Sequence, residues 1–199
     1  MPRKSVQAER KIQILEALDA CLQEKPFDQT TIKDIANAAG INHGMLHYYF
    51  RSKEDILIHY IEYVIQRHKT KLSEWLDSKD LRSTDEKKLF TDFLRFMTDQ
   101  ITLNQTLSKT FIEIWEIAIY KPEVRARLRM AYMEWIQAVK GFIQNLGLDE
   151  QTSLRRSAGL VAYLEGLALF SVILDPAELN VKQVIDDFHS RVDDFRIET

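Results

Sequence analysis

Apolar residues recur along this chain at intervals of three and four, the period of helices that bury one face. From about residue 7 to 24, Ile12, Leu15, Leu18 and Leu22 form such a stripe, extended by Ile14 and Cys21. Pro26 stops it, and Phe27 is expected to plug the small core that this helix shares with its successors. A second, short helix is marked by Ile32, Ile35, Ala36 and Ala39. Thr31 is its expected N-cap, with Asp34 three residues on as in a capping box, and Gly40 stands where a left-handed C′ residue is wanted. Asn42 can cap a third helix of about seven residues, whose apolar face would carry Met45, Leu46 and Tyr49. Ser52 caps a fourth, running to Leu76 with Ile56, Leu57, Tyr60, Ile61, Val64 and Ile65 as its apolar positions.

Past a polar loop at Asp77–Asp85 the period resumes. A fifth helix is expected from Glu86 to Leu103, with Phe93, Met97 and Ile101 among its apolar positions. A sixth is expected over Gln105–Tyr120, a seventh from Pro122 to about Asn145, an eighth over Asp149–Leu174 and a ninth from Val181 to Phe195. The eighth turns apolar on nearly all sides after Ala158, which calls for burial on more than one side. No strand-like alternation and no internal repeat interrupts the series. The expected fold is all-α, with about nine helices.

A helix, a glycine turn and a second helix of about seven residues is helix-turn-helix geometry, which places the second helix in a DNA major groove. Residues 31–57 also resemble the DNA-binding head of the TetR family of bacterial regulators. Thr31, Lys33, Asp34, Ile35, Ala36, Ala39, Gly40, Ile41, Gly44, Leu46, Tyr49, Phe50, Ser52, Lys53, Glu54 and Leu57 fit that family's pattern. Asn42 stands where Ser or Thr is common, and His47 where Tyr is common. The segment AGLVAYLEGLALFSVILDP is similar, more loosely, to the betaine-regulator (BetI-like) branch of the family. The resemblance implies a three-helix DNA-binding domain over residues 1–51 and a helical effector-binding and dimerisation domain over residues 52–199.

Charge changes this picture little. The chain carries a net charge of −3, yet residues 1–53 hold eight Lys/Arg against six Asp/Glu, and the remainder 19 against 24. The basic part is the part expected to face DNA, and its small excess suits a compact docking surface. A single cysteine, Cys21, forms no internal disulfide and reads as a small buried hydrophobe. The N-terminus has no apolar signal core. The longest apolar run, residues 159–174, is broken by Glu165 and falls short of the ~18 residues of a membrane span. A cytoplasmic protein with no membrane partner is expected.

The candidate chemistry lies in the helix-turn-helix. Gly44 lacks a side chain, so the third helix can approach the DNA backbone closely. His43, Met45 and His47 stand near that helix's start, where base edges are reached. A histidine can accept from or donate to a base, and a methionine can touch a thymine methyl. The family resemblance implies that Lys33 reaches DNA from the second helix and that Thr31, Tyr49 and Lys53 contact phosphates. Tyr49 has a second reading as head-domain packing. Asn42 completes the set as the cap that fixes the reading helix.

Three glutamates sit in apolar settings: Glu113 and Glu116 beside Trp115, and Glu165 in the eighth helix. Such carboxylates need a partner or a shifted pKa. With Phe93 and Trp115 they could face a small organic effector, or they could pair within or between subunits. The eighth and ninth helices suggest a four-helix dimer seam through Leu160, Tyr163, Leu164, Leu167, Phe170, Val184 and Phe188, the alternative being burial within one subunit. His43 and His47 are four apart but lack a third ligand, and no phosphate loop or Gly-x-Ser-x-Gly is present. No cofactor, no metal and no catalytic role is expected. The sequence points to a homodimeric, ligand-responsive DNA-binding transcriptional regulator, most simply a repressor. The rival class is a helical enzyme or interaction scaffold without specific DNA binding.

Overall fold

The computed structural model describes residues 2–79, 85–145 and 147–190. Among the described residues it is entirely helical: α1 (Pro2–Glu24), α2 (Ile32–Ala38), α3 (His43–Tyr49), α4 (Lys53–Asp77), α5 (Glu86–Met97), α6 (Gln105–Tyr120), α7 (Pro122–Gln144), α8 (Glu150–Ile173) and α9 (Val181–Ser190). A π-helical turn, Thr98–Thr102, extends α5. Contacts divide the chain into two compact units. One is Met1–Lys71 with Thr110–Trp135; the other is Leu72–Lys109 with Ile136–Thr199.

The first unit forms largely as the periodicity predicts. Ile14, Leu15, Leu18, Cys21 and Leu22 of α1 are buried with Phe27, Ile35, Ala36, Ala39, Leu46 and Phe50. Three expectations fail here. α1 begins about five residues earlier, at Pro2, since a proline fits a first helical position. Ile12 is exposed, because the buried arc centres on Ile14 and Leu18 and leaves residue 12 at its rim. In α3 only Leu46 is buried; Met45 points to solvent and Tyr49 is half-buried. A seven-residue helix offers the core a single inward turn, so the broader expected face does not form.

The turns rest on capping chemistry. Thr31 Oγ1 accepts from the Asp34 N–H at 3.1 Å, and an Asp34 carboxylate oxygen accepts from the Thr31 N–H at 2.8 Å. Gly40 adopts φ +62°, the left-handed conformation expected of it. The Gln13 amide donates to the Ala39 carbonyl at 2.6 Å, tying α1 to the end of α2. Ser52 Oγ accepts from the Asp55 N–H at 3.1 Å at the start of α4.

The same unit attaches α6 to the head. Asp19 of α1 accepts from Tyr60 of α4 at 2.8 Å and from Thr110 of α6 at 2.7 Å. The Phe27 N–H donates to Glu113 of α6 at 3.1 Å, and Lys121 pairs with Glu54 at 3.3 Å. Burial beside the Asp19 carboxylate pushes the Tyr60 phenol far above its ordinary pKa, so Tyr60 stays a donor in this network.

In the second unit, Phe93 of α5 stacks on Phe142 of α7 with centroids 4.1 Å apart, and Trp75 of α4 stacks on Phe96 at 5.3 Å. The expected continuous fifth helix to Leu103 gives way to the π turn, in which the Leu103 N–H reaches back five residues to the Thr98 carbonyl at 3.0 Å. The side chain of Ile101 and residues 191–199, which include Val192 and Phe195, lie outside the described residues. α8 opens on the Asp149 cap, whose carboxylate accepts from the Thr152 N–H at 3.0 Å. By length and composition this 24-residue helix could cross a membrane, contrary to the estimate from its apolar run. It packs instead on the π turn and on α9.

Burial on α8 also corrects the expected dimer seam. Leu164 and Leu167 are buried within the subunit, Leu167 against Val181 and Ile185 of α9. They cannot meet a second chain without unpacking. Tyr163 leans on the same cluster, and Leu160 is half-buried. The outward face runs instead through Gly159, Ala162, Gly166, Phe170 and Ile173, with Val184 exposed on α9. The Phe188 side chain lies outside the described residues.

Candidate nucleic-acid interface

Leu46 and Phe50, one turn apart, anchor α3 to the core, so the opposite face turns outward. That face carries His43, Gly44, Met45, His47 and Tyr48, all exposed. Asn42 Oδ1 accepts from the Gly44 N–H at 2.8 Å and fixes where the helix begins. The His43 and His47 rings meet edge to face, centroids 5.0 Å apart, and so present adjoining polar edges. Gly44 is exposed and adds no side chain to this face, and Met45 is 48% exposed beside it. The arrangement offers two imidazoles, a thioether and a bare backbone, which suits a groove lined by base acceptors and thymine methyls.

Tyr48, 74% exposed and edge-on to Tyr49 at 5.1 Å, is absent from the sequence-based set. It occupies a variable position of the family pattern, so the resemblance could not mark it. Its spacing could have: it lies two residues from buried Leu46, the far side of a helix. Lys33 and Thr31 are exposed near the start of α2, and Tyr49 is half-buried at the end of α3.

Lys53 departs from its expected role. Its ammonium donates to the Phe27 carbonyl and, at 2.7 Å, to the Thr30 carbonyl, and it lies 4.2 Å from the centre of the Phe27 ring. Burial lowers its pKa, with Glu54 and Asp28 pulling the other way. Two of its three protons are spent on the loop before α2, so it fixes that loop from inside. Beside it, Asp34 accepts from Lys25 at 2.7 Å and from Thr31, which hold its carboxyl well below the usual carboxylate range.

The candidate effector residues divide between the units. Phe93 and Glu165 belong to the second, Glu113, Trp115 and Glu116 to the first. Glu113 accepts from the backbone N–H of Phe27 at 3.1 Å. Glu116 is exposed, and Glu165 is half-buried. The Trp115 indole N–H donates to the Tyr132 hydroxyl at 2.7 Å. Phe93 is fully buried in its stack. Among the described residues no group of three His, Cys, Asp or Glu side chains is placed to hold a metal.

A capped helix-turn-helix whose second helix turns His43, Gly44, Met45, His47 and Tyr48 outward on either side of buried Leu46 defines a helix-turn-helix protein. Residues 14–60 match the family described as bacterial regulatory proteins, tetR family. Over these residues the chain is similar to the TetR family, and more loosely to its BetI members. It is 25% identical over 124 residues to the HTH-type transcriptional regulator BetI of Yersinia pestis (strain Pestoides F), covering 62% of each chain. This chain thus matches less than two thirds of that relative's length. The fold is also similar to that of FadR from Bacillus subtilis in complex with stearoyl-CoA, with TM-score 0.70, 18% identity, and 90% of this chain and 95% of that one covered. It is similar too to that of a regulator from Saccharomonospora viridis in complex with choline, with TM-score 0.71, 20% identity, and 91% and 95% covered.

Proposed function

We propose that this protein is a homodimeric, ligand-responsive DNA-binding regulator that represses transcription from a palindromic operator. The observation that carries the reading is the outward face of α3, held by the Asn42 cap on one side and Leu46 and Phe50 on the other. His43, Met45, His47 and Tyr48 meet base edges, Gly44 lets the backbone come close, and Thr31, Lys33 and Tyr49 fix the register on phosphates. Residues 1–51 serve DNA; residues 52–199 serve the effector and the second subunit.

One α3 helix reads only a few bases, so a second copy is needed. The apolar outward face of α8 and α9 supplies the seam, with Gly159, Ala162 and Gly166 allowing close approach of helices. A two-fold axis there sets two heads about one DNA turn apart, ~34–36 Å. The two similar folds bind ligands as unlike as stearoyl-CoA and choline. That supports a small-molecule effector and leaves its chemistry to this chain's own residues. The effector releases operator only by preferring a second arrangement, with about 3 kcal/mol of coupling for a 150-fold change in affinity.

The test is fluorescence anisotropy of the purified protein on DNA flanking its gene. Expected is salt-dependent binding to one palindrome, well above binding to scrambled DNA. Equal binding to both sequences would return the protein to the rival class of scaffold or enzyme.

A further inference from the structure

The π turn after α5 carries two buried hydroxyls of the second unit. Thr98 and Thr102 are 4% and 0% exposed, and neither Oγ1 has a hydrogen-bond partner among the described residues. Threonines within helices commonly donate back to the carbonyl four residues earlier, which would leave nothing to explain. Here neither does. The wide i→i+5 turn brings residues four apart onto one side, so the two hydroxyls lie on a common face of a segment packed on α8. π turns of this kind recur at functional sites.

We propose that Thr98 and Thr102 form the polar anchor of the effector site, and that the effector is an uncharged amphiphile whose hydroxyl or carbonyl they bind. This inference rests on the ligand-responsive reading above and gives it a chemical class. Two further observations select that class. The buried polar side chains described in this unit are Thr98, Thr102, Ser108, Ser153 and Ser157, all hydroxyls. A buried carboxylate or ammonium on the ligand would go unpaired there, at a high desolvation cost, whereas an alcohol or ketone is matched by hydroxyls that both donate and accept. Ser153 and Ser157 are already committed, to the Leu148 carbonyl at 3.3 Å and the Ser153 carbonyl at 2.6 Å. Of the other three, Thr98 and Thr102 are the ones whose hydroxyls have no partner among the described residues; Phe93, Leu94, Met97 and Phe142, buried in the same unit, suit an aliphatic or aromatic body. Of the glutamates that suggested a cationic ligand, Glu113 serves the Phe27 N–H, Glu116 is exposed, and Glu165, half-buried on α8, already has an interaction of its own.

The experiment titrates the full-length protein, without DNA, with 1-octanol, octanoate and octyltrimethylammonium, three probes of one chain length and different head charge. Calorimetry gives the affinities and thermal melting the accompanying stabilisation. The expected result is octanol binding at least tenfold tighter than either ion. Thr98→Val/Thr102→Val removes both hydroxyls at nearly constant volume. It should melt no lower than wild type, since it deletes orphaned groups, and should bind octanol at least tenfold more weakly. Equal or tighter binding of an ion, no octanol binding by wild type, or unchanged octanol affinity in the double variant would overturn the proposal. So would a lower melting point in the double variant, which would show that the hydroxyls are already satisfied. Should the double variant not fold, the ranking of the three probes on wild type decides alone. Operator binding is measured separately, so a failure here leaves the DNA-binding reading standing, and a failure there leaves these affinities interpretable.

Discussion

Lys33 and Lys53 show how little a residue's type says of its job. Lys33 is exposed beside α3, whereas the Lys53 ammonium is taken up by the carbonyls of Phe27 and Thr30. Lys53→Ala should therefore cost stability, about 1–3 kcal/mol for charge-assisted bonds lost from a half-buried site. Its operator salt slope should match wild type. Lys33→Ala should melt normally and flatten that slope by about one unit, the signature of a lost phosphate contact. Thermal melts paired with salt titrations separate the two, and a Lys53→Ala variant with normal melting and a flattened slope would reverse the assignment. Gly44 is tested by bulk. A Cβ there meets only Asn42 Oδ1, at the ordinary distance of 3.4 Å, so the free protein has room for a side chain. Gly44→Leu should melt within a degree or two of wild type and lose at least tenfold in operator affinity, because the obstruction arises only against DNA.

At the scale of the element, α2 depends on acid–base chemistry at its first turn. Lys25 and Thr31 donate to Asp34 and depress its pKa, so the ionised carboxylate favours the folded head. A group depressed on folding contributes fully above its unfolded pKa, ~3.9 for Asp, and the contribution fades as pH falls through and below that value. Asp34→Asn should accordingly melt below wild type at pH 6, and the gap should narrow toward pH 3; a gap independent of pH would dismiss the ionised cap. This element was legible in the sequence for the same reason that it is testable. Thr31, Asp34, Gly40 and Asn42 act on residues within four positions, so local rules suffice. The π turn was not legible, because Thr98–Thr102 continues a helical period and only packing on α8 accompanies the widened turn. The inward turn of Lys53 depends on carbonyls more than twenty residues away. α8 misled differently: a helix apolar on every side has no preferred face in its sequence, so Leu164 and Leu167 could not be told from Phe170 until burial sorted them.

For the whole molecule, that sorting predicts a clean contrast between neighbouring substitutions. Gly166→Arg or Phe170→Arg should give a helical monomer by sedimentation and circular dichroism, with poor operator affinity. Leu167→Arg should unfold its unit, since it drives a charge between Val181 and Ile185. A dimeric, folded Phe170→Arg would remove the outward face of α8 from the seam. The hydrogen bond from the Phe27 amide to Glu113 has a use of another kind. Most protected amides in a helical protein are held by carbonyls of their own helix and exchange when that helix frays. This one is held by a carboxylate 86 residues further along the chain. Its deuterium exchange therefore clocks the parting of two distant stretches of sequence, and a single nitrogen-15 label at Phe27 turns that bond into a spectroscopic gauge.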